Sequence, residues 1–345
     1  MSVQWLSDAV KAPDPLSEHS ALERQRHLTK PPGSLGQLEQ LAVRFAGLQR
    51  SSVPRLERII VRVFAADHGV AAQGISAFPQ TVTAQMVANF CRGGAAICVL
   101  SQSLNADFKV VNLGCVGEIN EHPILINQPI APATLDFTQA PAMSRTQLAL
   151  ALNTGRAQIG PADVFIGGEM GIGNTTAAAA LLAALFDLPA AAITGRGTGI
   201  DDRALATKLH VIERALELHR AKRGQPLALL QALGGFEIAA LVGAYIACAQ
   251  QGVPVLVDGF ISTAAAAMAL AIQPEISPWL IYSHLSDEAG HRLALEQLGA
   301  EPLLVLGMRL GEGSGAAMAA GLVRDALALH NGMATFTEAG VSDAD

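Results

Sequence analysis

Seven short apolar runs, each closed by glycine or polar residues, constrain this 345-residue chain more than any other feature. They are RIIVRVFAA (58–66), DFKVVNLG (107–114), DVFIGGE (163–169), AAAITG (190–195), VPVLVDGF (253–260), WLIYSHL (279–285) and LLVLGM (303–308). Continuous rather than alternating apolarity predicts strands covered on both faces, the environment of a parallel sheet between two helical layers. Helical patterns lie between the runs: VTAQMVANFCRGGAAICVLSQSL, RTQLALALNTGRAQI, and DDRALATKLHVIERALELHRA with its acidic first turn. The expectation is an α/β fold whose Rossmann-like, doubly wound, mainly parallel sheet occupies residues 56–312. Residues 1–55 read as helices around the turn TKPPGSLG, and 313–332 as one helix within a C-terminal part 313–345. A smaller helical domain drawn from both termini is therefore expected.

Charge narrows the function classes. With a formal net charge of −7 and no Lys/Arg cluster longer than AKRG, the chain lacks the basic footprint that a nucleic-acid surface needs. Hydrophobic residues at 50% and charged ones at 15% exclude a disordered chain. The N-terminal MSVQWLSDAVKAPDPLSEHS has no basic segment followed by an apolar one, and TTAAAALLAALFDLPAAAITG is broken by Asp187 and Pro189 before it could span a bilayer. A soluble, cytoplasmic protein with no membrane span is expected. Cys91, Cys98, Cys115 and Cys248 form no CxxC pair and read as free thiols.

In an open parallel sheet, ligands bind beyond the carboxyl ends of the strands, so the residues after each run carry the chemistry. The loops ADHG, GGEMGIGNTT, GRGTGIDD, DGFIST, SHLSDEAGH and RLGEGSG supply Asp67, Glu169, Asp201, Asp258, Asp287 and Glu312. GGEMGIGNTT has the form of a glycine loop entering a helix, with Asn174, Thr175 or Thr176 as N-cap, where backbone N–H groups favour an anion. A tight turn without ligand would use the same residues. The lysine and hydroxyl of a Walker loop are missing. Gly311, Gly313 and Ala316 match a dinucleotide fingerprint only loosely, and too few residues follow for the βαβ unit it requires. His284 and His291 lack the spacing of a helical zinc pair and read as hydrogen-bonding loop or core residues. No GxSxG elbow supports a serine hydrolase.

Taken together, KPPGSLGQLE (30–39), ADHGV (66–70), PQTVTAQMVANF (79–90), GEMGIGNTT (168–176), GRGTGIDD (195–202), LGGFEIAALVGA (233–244), DGFISTAAA (258–266), SHLSDEAGH (283–291), GMRLGEGSGAAMA (307–319) and MATFTEAGVSD (333–343) resemble the nicotinate-nucleotide–dimethylbenzimidazole phosphoribosyltransferase family. The likeness runs in order along essentially the whole chain. It implies transfer of the 5-phosphoribosyl group of nicotinate mononucleotide to 5,6-dimethylbenzimidazole in cobalamin nucleotide-loop synthesis. It also implies a homodimer, a Rossmann-like large domain with a small helical one, and no metal or other cofactor.

The chemistry asks for one base. A pyridinium nitrogen leaves as neutral pyridine without an acid, whereas the attacking benzimidazole becomes cationic unless its other N–H is deprotonated. A buried carboxylate with a raised pKa suits that task. The family's catalytic base falls on the GEG motif, hence on Glu312, and Glu169 is the second acid, for positioning or for the electropositive ribosyl centre. The phosphate is expected against Gly171, Ile172, Gly173 and Asn174, with Gly197 and Thr198 nearby and Lys208 as cationic partner. Ser286 and Asp287 are expected to frame the nucleotide. Phe78, Gln85, Met86, Met170 and Leu310 are expected to wall the slot for the aromatic base. Some family members have a small polar residue where Phe78 stands, so this wall bears on base choice. Two other readings use the same loops: a non-catalytic nucleotide-binding module, and a nucleosidase with water as acceptor. Retention of both Glu169 and Glu312 argues against the first, and an apolar slot against the second.

Overall fold

Six of the chain's extended segments hydrogen-bond side by side into one sheet in the computed structural model, which describes residues 2–197 and 199–342. The strands are β1 (Ile59–Ala66), β2 (Asp107–Gly114), β3 (Leu125–Asn127), β4 (Val164–Met170), β5 (Val255–Val257) and β6 (Leu280–Tyr282). Every pairing is parallel and the order is β3-β2-β1-β4-β5-β6, the doubly wound arrangement expected from the buried runs. The order reverses between β1 and β4, so the crevice where ligands bind opens beyond their carboxyl ends.

Side chains alternate across a strand, so neighbouring residues of β4 report both faces. Gly167 faces Leu241 and Tyr245 of the Phe236–Gln251 helix, while Gly168 faces the backbone of Glu312 and Gly313. The Phe236–Gln251 helix packs against Arg145–Ala157 and Phe260–Ile272 on the first side. On the other, Ser314–Gly332 packs against Ala96–Ser103 and the end of β5. Near the chain ends, Pro15–His27 packs on Gln37–Gln49, which in turn packs on Ser314–Gly332. Leu28 and Thr335 form an antiparallel bridge, and the Arg24 guanidinium donates to the carbonyls of His330 and Met333. Among the described residues no helix is long and apolar enough to cross a membrane.

Two expected strands are corrected, and one strand was not foreseen. AAAITG folds as a short helix, Ala190–Ile193, in keeping with the high helix propensity of its three alanines after Pro189. LLVLGM makes only one bridge, Leu304 to His284, and leaves Val305 and Leu306 exposed at 70% and 55%. β3 has no counterpart among the expected strands; three residues give too short a pattern to read without its partner β2.

Candidate active site

Beyond the carboxyl ends of β4, β5 and β6 lies a cavity of about 310 Å³. Glu169 and Glu312, far apart in the chain, both line it. Glu169 is carried by β4, and Glu312 arrives on the loop that leads into Ser314–Gly332. Two glycines permit their approach. A Cβ on Gly168 would lie 2.1 Å from the Glu312 carbonyl oxygen, and a Cβ on Gly311 would lie 2.4 Å from Glu169 Oε1. Glu312 itself holds a left-handed backbone at φ 64, unusual for a residue with a side chain.

Both carboxyls are buried, Glu169 at 5% and Glu312 at 6% exposure. Burial, followed by the charges of Asp258, Glu237 and Glu312, pushes the Glu169 carboxyl up to about 8. The Asn174 side-chain amide donates to its Oε2. Burial also raises the Glu312 carboxyl, with the Ile97 backbone N–H opposing and the charge of Asp258 adding to the rise. Among the described residues nothing hydrogen-bonds Glu312 Oε2. An acceptor oxygen in that situation can receive a proton from a molecule in the cavity.

Opposite the acids, the glycine loop after β4 enters the Asn174–Phe186 helix. Its N-cap is Gly173, at φ 102, rather than Asn174 or a threonine, and this turn frees the Asn174 side chain to reach Glu169. Gly171, Ile172, Asn174 and Gly197 line the cavity, whereas Gly173 packs against His68. Ile172 departs from expectation as an anion donor: its N–H donates to Thr83 Oγ1 at 3.2 Å. Lys208 is buried at 1% beneath Gly197 and donates from Nζ to Thr175 Oγ1 at 2.8 Å and to the Gly195 carbonyl at 3.1 Å. Burial lowers its ammonium to about 8, with the Glu288 carboxylate opposing. Ser286 lines the cavity but Asp287 does not; Asp287 points to solvent and the next residue, Glu288, faces inward, accepting from the Gly197 N–H at 3.1 Å. Thr198 lies outside the described residues.

Phe78, Val82, Met86, Met170 and Leu310 form the apolar wall of the cavity together with Ile172, Phe260 and Ile261. Gln85 is absent from it. On the Thr81–Cys91 helix it sits opposite the buried stripe of Thr83, Val87 and Phe90, so it is exposed. Of the other acids, Asp258 lines the cavity. Asp67 is fully buried and accepts from Thr83 Oγ1 and the Val116 N–H, and Asp201 caps the Asp202–Leu218 helix. Neither touches the cavity. His284 and His291 are buried, as expected. His291 accepts the Ser286 N–H at Nδ1, so its proton sits on Nε2 and faces Thr263 Oγ1. Sequence reasoning missed the pair His68 Nε2 and Glu237 Oε1, 2.6 Å apart and fully buried behind the glycine loop. A glutamate in the otherwise apolar FEIAALVGA was the available signal.

Comparisons with known proteins agree in kind. A family model described as phosphoribosyltransferase matches residues 10–341. A nicotinate-nucleotide–dimethylbenzimidazole phosphoribosyltransferase of Xanthomonas oryzae pv. oryzae is 55% identical over 100% of both chains. The protein of that name in Pseudomonas aeruginosa is 54% identical over 99% of each. The crystal structure of the same-named protein of Thermus thermophilus has a TM-score of 0.90 at 43% identity, covering 96% of this chain and 100% of that one. The chain therefore belongs to the nicotinate-nucleotide–dimethylbenzimidazole phosphoribosyltransferase family.

Proposed function

We propose that the chain transfers the 5-phosphoribosyl group of nicotinate mononucleotide to 5,6-dimethylbenzimidazole, giving nicotinate and α-ribazole 5′-phosphate with inversion at C1′. The observation that carries this reading is the convergence of Glu169 and Glu312, both buried and raised in proton affinity, on a cavity walled by glycine loops and by apolar side chains.

The phosphate is assigned to the cavity face of Gly171 and Gly197 above Lys208; since Glu288 holds the Gly197 N–H and the Gly171 carbonyl holds that of Asn174, Lys208 rather than these amides supplies the attraction. Two of the three ammonium protons of Lys208 are taken by Thr175 and Gly195, which leaves one for an anion. Ser286 borders the nucleotide. The azole lies flat between Phe78, Val82, Met86, Met170 and Leu310, an environment that favours a bicyclic aromatic over water. As the C1′–N bond to the pyridinium breaks, nicotinate leaves with the bonding electrons and needs no proton. The azole's bare ring nitrogen attacks C1′ from the opposite face. Its other N–H passes the proton to Glu312, and Glu169, held by Asn174 and kept largely protonated at neutral pH by burial, positions the substrates in the cavity.

The reading extends to a cytoplasmic homodimer in which residues 1–55 and 313–345 form a helical unit beside the α/β body of 56–312. It is tested by incubating the purified protein with nicotinate mononucleotide, with and without 5,6-dimethylbenzimidazole, and following nicotinate by chromatography. Release that requires the azole is expected; equal release without it would identify a hydrolase and end the proposal.

A further inference from the structure

The helix that follows Glu312 begins without a cap of its own. Its N-cap is Gly313, which has no side chain, and Glu312 and Gly313 both hold positive φ, at 64 and 87. Two of the first N–H groups of this helix are instead taken by a residue from another strand. Asp258, at the carboxyl end of β5, accepts the Gly313 N–H on Oδ2 at 3.2 Å and the Ala316 N–H on Oδ1 at 2.8 Å. It is 2% exposed, and His284 Nε2 stands 3.7 Å from Oδ1. Burial raises the Asp258 carboxyl, while the charge of His284 and the N–H groups of Ala316, Gly259 and Gly313 oppose the rise; with a backbone N–H on each oxygen, the surroundings favour the ionised form. A carboxylate at a helix N-terminus is also favoured by the helix dipole.

We propose that Asp258 is a positioning residue for Glu312: it caps the Ser314–Gly332 helix from β5, fixes the left-handed backbone that aims Glu312 into the cavity, and sets a negative charge beside it. The proposal rests on the reading of Glu312 as the base. It differs from an ordinary cap in acting on the base rather than on the fold. The groups facing Asp258 are His284 just after β6, Glu169 from β4, Tyr245 from the Phe236–Gln251 helix and Glu312 itself. Facing Glu312 are Ile97 and Cys98 at the start of the Ala96–Ser103 helix. Of these, the charge of Asp258 raises the proton affinity of both Glu169 and Glu312.

The test compares pH profiles of kcat for the full-length protein, Asp258→Asn, Asp258→Ser and Glu312→Gln. Turnover needs Glu312 deprotonated, so kcat falls as pH drops through its pKa. Without the charge of Asp258 the Glu312 carboxyl loses its proton more readily, and this acid limb moves to lower pH. In Asp258→Asn, kcat at the plateau is expected to fall on the order of 10²-fold through misalignment, with the nucleotide KM nearly unchanged. An acid limb left in place, or a loss confined to KM, would overturn the proposal. So would failure of both Asp258 variants to fold, which would make the residue structural. Full activity in Glu312→Gln would instead remove the reading of the base, and it is measured independently of Asp258.

Discussion

Glu312 stands where three costs meet. A left-handed backbone in a residue with a Cβ costs about 1–2 kcal/mol, its carboxyl is buried, and one carboxylate oxygen lacks a hydrogen-bond partner among the described residues. A residue kept under such conditions is a candidate for chemistry rather than for stability. Glu312→Gln keeps the shape and removes the proton acceptor. It should lower kcat by roughly 10²–10⁴-fold, the range for a lost general base, while both KM values stay close to wild type. Its residual activity should lose the acid limb of the wild-type pH profile. Steady-state kinetics between pH 5 and 9 would check this, and an unchanged kcat would remove Glu312 from the mechanism. The residue was readable through the GEG motif only as part of the family resemblance, because a lone acid between two glycines reads equally well as a solvated loop residue. Its conformation was not readable, since it depends on Gly168 of β4 making room for its carbonyl.

At the scale of elements, the glycine loop after β4 is held from behind by the Thr81–Cys91 helix. Thr83 Oγ1 donates to Asp67 Oδ1 at 2.6 Å and accepts the Ile172 N–H, so one hydroxyl ties the end of β1 to the candidate phosphate loop. Thr83→Val would strand both buried partners. A cost of about 1–3 kcal/mol is expected, read as a lower denaturant midpoint, together with a rise in the nucleotide KM larger than that in the azole KM. Equal changes in the two KM values would dissociate this tie from the nucleotide. Most elements were legible because continuous apolarity and helical periodicity are local signals. The failures were local too: AAAITG suits helix and strand alike, and LLVLGM continues past the sheet with one bridge only. Asp287 and Glu288 illustrate a finer limit, because which of two adjacent acids turns inward is set by the path of the loop over Gly195 and Gly197.

For the whole molecule, the proposed homodimer finds support in apolar side chains left in solvent. Val305 and Leu306, exposed at 70% and 55%, are adjacent on the segment that leads to the cavity, and neighbouring exposed apolar side chains suit a contact surface. Sedimentation velocity should give twice the chain mass, and Leu306→Asp should shift the protein toward monomer; a wild-type monomer at micromolar concentration would rule the assembly out. The layered α/β class, the parallel sheet and the loops that carry acids and glycines were legible in the residues alone, because burial on both faces and turn chemistry are written residue by residue. That Glu169 meets Glu312, that the Ile172 amide is occupied by Thr83, and that Asp258 caps a helix on which it does not lie came from the packed fold. Those relations join segments separated by long stretches of chain, and they exist only once the strands have taken the order β3-β2-β1-β4-β5-β6.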